Sequence, residues 1–332
     1  MVSRREVAER ANVSIRTVSN VASGFSHVAP ETRDRVLKAM EEFGYRPSEF
    51  ARSLKIGRSG IIGLMLPELD TPYFAELTRA FVERGVELGL TIVVDQTDGN
   101  RSREEEALRR TSDGALFDAL VLNPLALRPH DLDGFQTGPL VLLGEEDFPG
   151  FDKVMIDNYL AAQEVVHHLV AQGRTHIAAI GAERNSHGSS TLRLAGYRAA
   201  MHDLPGGSGS KLVEYVDAFR RIDGAEAMRR LLLQRHTKPI DAVFCFSDPL
   251  ALGAMRALHE AGIRVPDDIA IVGWDDTEDG RFAYPSLTTV SPDKTWIAYN
   301  TLARVEQHLN GMAKTAETLI GPYRLIIRES SA

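Results

Sequence analysis

The chain has one cysteine in 332 residues, Cys245, so no disulfide can form within it. That residue sits in the apolar run Ala242-Val243-Phe244-Cys245-Phe246, where a buried structural thiol is the default. Long apolar runs are missing too: none reaches the ~18 residues expected of a membrane span. Polar Arg4-Arg5-Glu6 stands where a signal peptide would need an apolar core. A cytoplasmic protein with no membrane partner is therefore expected. Cofactor and metal signatures are also lacking. No Gly-x-Gly-x-x-Gly follows the first strand-like run. Gly206-Gly207-Ser208-Gly209-Ser210 lacks the Gly-Lys-Ser/Thr ending of a phosphate loop and reads as a surface turn. His167 and His168 are neighbours on one helix and point to different faces, which makes them poor joint metal ligands. Asp275-Asp276 has no partner constellation for acid–base work. No catalytic residue, cofactor or metal is assigned, and the chain does not read as an enzyme.

Positive charge is in deficit overall, with a formal net charge of −8, but the deficit is uneven. Residues 1–59 hold 11 Lys+Arg against 7 Asp+Glu, net +4; the remainder holds 27 against 39, net −12. A basic head thus sits on an acidic body. Attraction to phosphates belongs to the head, and the acidic body discourages stray nucleic-acid contact.

The head is helical by pattern. Val7, Ala8 and Ala11 recur at helical spacing, and small Ala8 lets a second helix cross closely. Asn12-Val13-Ser14 breaks the pattern, and the Ser14 hydroxyl can cap the next helix. Val18 and Val21 face inward on that second helix. Ile15, Arg16 and Asn20 are left outside, with Ser14 and Thr17 at the helix start. Arginine pairs with guanine, asparagine with adenine, and an apolar group meets a thymine methyl, so this face suits the major groove. A third helix starts at Pro30-Glu31-Thr32, with proline at its first position but Ala29 where a capping serine would help. Val36, Leu37 and Met40 are expected to close a three-helix core, giving a helix-turn-helix DNA-binding domain over 1–47.

From residue 60 the pattern changes to α/β. Ile61-Ile62-Gly63-Leu64-Met65-Leu66, Thr91-Ile92-Val93-Val94, Ala119-Leu120-Val121-Leu122 and Leu140-Val141-Leu142-Leu143 read as strands, with helices between them. The second half repeats the scheme, with strands expected at 154–156, 177–180, 212–216, 241–246 and 269–272. Apolar strands alternating with amphipathic helices indicate parallel sheets covered by helices on both faces. Two such halves suggest two lobes with a cleft between them, a natural ligand site.

Several short motifs then gain meaning from their joint order. They are Val13-Ser14 with Thr17-Val18-Ser19; Pro30-Glu31-Thr32-Arg33; Gly44-Tyr45-Arg46-Pro47; Ala51-Arg52-Ser53-Leu54; Pro72-Tyr73-Phe74; Arg193-Leu194-Ala195-Gly196-Tyr197; Ser247-Asp248-Pro249-Leu250-Ala251-Leu252-Gly253; Val272-Gly273-Trp274-Asp275-Asp276; and Arg328-Glu329-Ser330. In this order the chain resembles the lactose repressor (LacI/GalR) family of bacterial transcription regulators over essentially its whole length. The resemblance implies an all-α helix-turn-helix head and a two-lobed, periplasmic-binding-protein-like body. It implies a hinge helix and linker at 48–59, with Ser48 as cap and Arg52, Leu54 and Lys55 at the DNA. Leu54 matches a leucine that wedges between base pairs in the minor groove, which costs roughly a few kcal/mol of unstacking and gains a bent, wider groove. The body, 60–332, is divided into lobe 1 (about 60–157 and 292–318) and lobe 2 (about 158–291 and 319–332). The implied partners are palindromic operator DNA, a second copy of the chain, and a small effector of the carbohydrate class. No leucine-heptad pattern follows Arg328, so a dimer is expected. The competing reading is a sugar-binding transport or sensor protein, which would share the body but not the head.

The resemblance also assigns a pocket. Arg193 matches the arginine that grips ligand oxygens, and Asp275 an aspartate that accepts from hydroxyls. Such a pair can bracket vicinal hydroxyls with charge-assisted bonds. Tyr73, Phe74, Phe219 and Trp274 offer flat apolar faces, and Asn123 matches a polar pocket position. Ser247 stands where many relatives have a ligand-touching asparagine. Pro292 and Lys294 replace pocket residues of better-known members; a Lys294 facing the cleft would favour an acidic sugar or a phosphate, and otherwise it is solvated. Asp248-Pro249 reads as a helix N-cap followed by proline.

Overall fold

The structure is a computed structural model that describes residues 3–22, 25, 27–45, 58–111, 116–133, 138–184, 188–203 and 212–332. The chain divides into two compact units, Met1–Gly60 and Ile61–Ala332. The hinge residues 48–56, including Arg52, Leu54 and Lys55, and the turn at 206–210 lie outside the described residues.

The first unit holds α1 (Arg4–Ala11), α2 (Ile15–Ala22) and α3 (Pro30–Glu42). Ser3 opens α1 with a reciprocal cap: Glu6 N donates to Ser3 Oγ at 3.4 Å, and Ser3 N donates to the Glu6 carboxylate at 2.6 Å. Asn12 ends α1 in the left-handed region at φ 53°, a conformation asparagine tolerates. Ser14 caps α2, accepting from Thr17 N at 3.0 Å. Val7, Ala8 and Ala11 then pack on Val18, Val21, Val36, Ala39 and Met40. Leu37 is a correction: it is half exposed, and Ala39 takes the buried place. The stripe 36, 39, 40 follows the i, i+3, i+4 rows, and position 37 falls off that face. Pro30 starts α3 with no side-chain cap at Ala29.

The second unit contains two six-stranded sheets. The first has the order β2-β1-β3-β4-β5-β11, from β1 (Ile61–Leu66), β2 (Thr91–Gln96), β3 (Ala119–Leu122), β4 (Leu140–Leu143), β5 (Asp152–Ile156) and β11 (Thr318–Gly321), all parallel. The second has the order β7-β6-β8-β9-β10-β12, from β6 (Ile177–Ala182), β7 (Val213–Tyr215), β8 (Ala242–Cys245), β9 (Ala270–Trp274), β10 (Thr288–Pro292) and β12 (Tyr323–Ile326). Among the described strands only β12 runs antiparallel, on β10. The central strands are buried along their length because helices cover both faces. The first lobe carries α4 (Pro72–Leu88), α5 (Arg101–Arg109) and α11 (Lys294–Leu309). The second carries α6 (Asn158–Ala171), α7 (Ser189–His202), α8 (Arg221–Gln234), α9 (Asp248–Glu260) and the short α10 (Glu278–Arg281).

The chain crosses between lobes three times: from β5 to α6, from β10 to α11, and from β11 to β12. The last crossing falls after Gly321. β11 pairs with β5 through Thr318–Gly321, so residues 319–321 belong to the first sheet, where the sequence reading put them in the second lobe. Two aspartates cap the helices at the first two crossings: Asp157 accepts from Leu160 N at 2.9 Å and Asp293 from Trp296 N at 2.8 Å. α8 and α9 approach so closely that a Cβ on Gly253 would lie 1.8 Å from Arg221 O, which is why this face of α9 needs glycine.

Candidate functional site

The helix-turn-helix places Ser14, Ile15 and Arg16 on its outer side. Arg16 is exposed and Ile15 half exposed, while Val18 and Val21 are buried behind them. The Ser14 and Thr17 hydroxyls meet at 2.9 Å, which ties the helix start together. Thr17 and Asn20 are partly buried on the same helix. Ser14 caps α2, and the other four side chains are spread along it.

All eight pocket residues expected from the sequence line one cavity of about 640 Å³ in the second unit. They come from both lobes. Tyr73 and Phe74 stand in the first turn of α4, Asn123 follows β3, Arg193 lies on α7, Phe219 precedes α8, Ser247 follows β8, and Trp274-Asp275 ends β9. These are mostly carboxyl ends of parallel strands, where open α/β sheets leave crevices for ligands. Tyr73 and Phe74 pack edge to face with centroids 5.2 Å apart. Asn123 is anchored by donating from Nδ2 to Leu143 O at 2.8 Å.

Arg193 is the buried cation of the cleft. Its Nε donates to Asn158 Oδ1 at 2.8 Å, and Nη1 donates to Phe246 O. The guanidinium carbon lies 4.1 Å from the centroid of the Trp274 ring. That contact changes the expectation for Trp274: the ring is fully buried and supports the arginine, so it is not an open face for a ligand. Burial lowers the Arg193 pKa, and nearby Asp275 and Glu145 oppose the shift.

Asp275 sits in a strained turn. Its φ is 115° and that of Asp276 is 51°, conformations side chains rarely adopt. Asp275 N donates to Val290 O at 2.8 Å. The turn is held from behind by Asp248, whose carboxylate accepts from Thr277 N at 2.7 Å, Thr277 Oγ1 at 3.1 Å and Thr289 Oγ1 at 2.6 Å. Asp276 adds bonds from Arg281 at 3.0 Å, Ser291 at 3.0 Å and Arg328 at 2.6 Å. No hydrogen bond reaches the Asp275 carboxylate among the described residues, and the residue is 7% exposed. Burial raises its pKa to about 8, against the opposing pull of Arg193.

The Asp248 reading needs correction. Ser247 is the N-cap of α9, accepting from Leu250 N at 3.3 Å, and Asp248 is the first helical residue. Its carboxylate is spent on the 275–277 turn. Burial raises its pKa to about 6, with the Thr289 and Thr277 hydrogen bonds opposing.

Lys294 is neither solvated nor in the cavity lining. Its Nζ lies 2.9 Å from Glu76 Oε2 and donates to Asp275 O at 2.5 Å. Glu76 also accepts from Glu278 N at 3.2 Å. These contacts tie the first lobe (Glu76, Lys294) to the second (Asp275, Glu278) beside the cavity. Pro292 does line the cavity.

Sequence reasoning missed Glu145 and Asn158. Asn158 donates to Glu145 Oε1 at 2.7 Å while accepting from Arg193, so a chain of three polar groups crosses from lobe to lobe. Burial raises the Glu145 pKa, with Arg193 opposing. The signal was present: Glu145-Glu146-Asp147 follows the apolar run Leu140–Leu143 after a single glycine, and Asn158 comes two residues after the strand-like run 154–156. Among the described residues no cluster of metal-ligating side chains occurs, and no helix is long and apolar enough to cross a membrane.

A three-helix head with an exposed recognition face, joined in one chain to a two-lobed ligand-binding body, defines a ligand-responsive DNA-binding regulator. Comparison with known proteins agrees. Residues 5–48 match the profile "Bacterial regulatory proteins, lacI family", and residues 166–331 match "Periplasmic binding protein-like domain". The chain is 32% identical to the ribose operon repressor of Halalkalibacterium halodurans, covering 100% of this chain and 97% of that protein. A structure assigned to the LacI family from Sanguibacter keddieii has 40% identity and a TM-score of 0.75, covering 83% of this chain and 99% of its own. The lac repressor dimer bound to operator and the anti-inducer ONPF has 28% identity and a TM-score of 0.87, covering 99% of each chain. The chain belongs to the lacI family of bacterial regulatory proteins. Members of this family bind operator DNA as dimers and respond to small-molecule effectors.

Proposed function

We propose that this protein is a transcriptional repressor whose operator affinity is set by a carbohydrate bound between the two lobes of its body. The observation that carries this reading is that Arg193 and Asp275, whose carboxylate accepts no hydrogen bond among the described residues, line the same cleft. A guanidinium and a carboxylate at that spot can hold neighbouring hydroxyls, with Tyr73, Phe74 and Phe219 against the apolar face of a ring and Asn123 and Ser247 at its edge. Ser14, Ile15, Arg16, Thr17 and Asn20 read the major groove, and Arg52, Leu54 and Lys55 engage the minor groove and backbone. The working division is 1–47 for the head, 48–59 for the hinge and 60–332 for the body, in a cytoplasmic homodimer on a palindromic site. Ligand acts by favouring one lobe arrangement, since it can shift an equilibrium only by its differential affinity. The relative named as a ribose operon repressor supports the sugar class. A transport or sensor role is disfavoured because the head would then have no task. The test is a thermal-shift screen with sugars, sugar derivatives and nucleosides, followed by operator titration with each binder. A binder that raises the melting temperature and changes operator affinity is expected. Sugars that bind without changing operator affinity would contradict the proposal.

A further inference from the structure

We infer that the cleft admits only polyhydroxylated ligands without negative charge, and that the carboxylates of its own wall reject phosphorylated and acidic counterparts. This rests on the carbohydrate reading above and narrows it. Five carboxylates line the cavity with no ion-pair partner within 4 Å among the described residues: Glu68, Glu145, Glu183, Asp217 and Asp275. Asp98 and Glu146 line it too but are paired with Arg103 and Arg128. Against these stand, among the described residues, two lining cations, Arg184 and Arg193. Arg193 donates from Nε and Nη1 to Asn158 and Phe246 O and lies over the Trp274 ring, and the nearby acids Asp275 and Glu145 offset its charge. Arg184 lies over the Tyr215 ring at 4.8 Å. The lysine that the sequence offered for an anion, Lys294, is neutralised by Glu76.

An acidic wall by itself names no ligand. Asp275 does. It is 7% exposed, lines the cavity, and among the described residues accepts no hydrogen bond at its carboxylate. A buried acceptor in that state needs a donor from the occupant. Once Asp275 is ionised, hydroxyls or an ammonium supply one; a phosphate dianion or a carboxylate does not, and it meets four further acidic side chains around the same space. Like charges gathered around one cleft repel, most strongly at buried Asp275 and less at the solvent-exposed Glu68 and Asp217, which turns the wall into a filter against the wrong ligand.

The experiment uses the full-length protein and matched sets of probes: ribose with ribose 5-phosphate, and glucose with glucosamine, glucose 6-phosphate and glucuronate. The sets are extended to other pentoses and hexoses until a binder appears. Dissociation constants are measured by calorimetry at low salt and about pH 9, above the raised pKa of Asp275, so that its carboxylate is charged. Within the binding set, the neutral or amino member is expected to bind at least about tenfold more tightly than the phosphate or the acid. The double variant E183Q/D217N is expected to shrink that ratio at least about threefold, and raising salt to shrink it further, because both side chains are partly or fully open to solvent and screened. Tighter binding by the phosphate or the acid overturns the inference, as does a ratio that E183Q/D217N leaves unmoved. An anionic binder that still changes operator affinity would defeat the charge filter and leave the repressor proposal standing. A neutral binder that obeys the filter without moving operator affinity would do the reverse.

Discussion

In the head, the side chains that face DNA stand in water. Arg16 is exposed, Ile15 is half exposed, and the core behind them is eight small and medium side chains. In the body, the side chains that face the ligand are enclosed. Arg193 is 8% exposed and stacked on a buried tryptophan, and Asp275 is held in a strained turn by a second buried aspartate. The head is net basic, and the charged residues lining the cleft are mainly acidic. The difference teaches where each kind of recognition keeps its cost. Surface charges near DNA are screened and individually cheap to change. Buried charges in the cleft are coupled, so one substitution leaves others uncompensated.

Four substitutions sharpen or break that contrast. Arg193→Ala should have the largest effect. It should abolish ligand-induced thermal stabilisation and lower unfolding free energy by about 3 kcal/mol or more, because Asp275 and Glu145 lose their cation. A preserved ligand shift in this variant would mean the cleft is misassigned. Leu54→Ala should weaken operator binding at least about tenfold, the loss expected when an apolar wedge is removed. Ligand binding by that variant should persist; equal operator affinity in a gel-shift titration would remove the wedge from the account.

The third test is a pH profile. The Asp275 pKa is raised from 3.8 to about 8. A carboxyl raised in the folded state stabilises that state while protonated; the contribution is complete below about pH 4 and lost as pH rises through about 8. Ligand hydroxyls need the carboxylate, so binding should tighten by up to about tenfold per unit between pH 7 and pH 8. Asp275→Asn should flatten both trends, with the other groups around it (Arg193, Asp248, Lys294 and Glu76) left in place. Binding that weakens with pH over this range contradicts the arrangement. The smallest effect is a gain. Ala29→Ser supplies the missing cap of α3 and should stabilise the head by about 0.5–1 kcal/mol in urea unfolding.

Local chemistry made most of the head legible. Ser14 caps the helix it precedes, and Val18 and Val21 occupy the face their spacing demands. Leu37 misled because hydrophobicity outran phase: 37 lies off the buried stripe that 36, 39 and 40 define. In the body, alternating apolar runs were enough to read two parallel sheets, and one cavity gathers all eight expected pocket residues. What stayed hidden depends on long-range contacts. Ser247 and Asp248 are both good cap residues, and only the distant partner Thr289 decides that Asp248 serves the 275–277 turn. Lys294 looked like a free charge because its partner Glu76 lies on another helix of the same lobe. Glu145 became a site residue only when Asn158 and Arg193 were brought beside it.

The central claim is that occupancy of the acidic cleft controls the basic head. The most direct measurement is operator affinity, by fluorescence anisotropy at fixed salt, with and without a saturating ligand identified by thermal shift, in the wild type and in Asp275→Asn. The account predicts a change of at least about fivefold in the wild type, the low end of ordinary allosteric coupling, and little or none in the variant at the same ligand concentration. An operator dissociation constant that does not move when the wild-type cleft is full would contradict it.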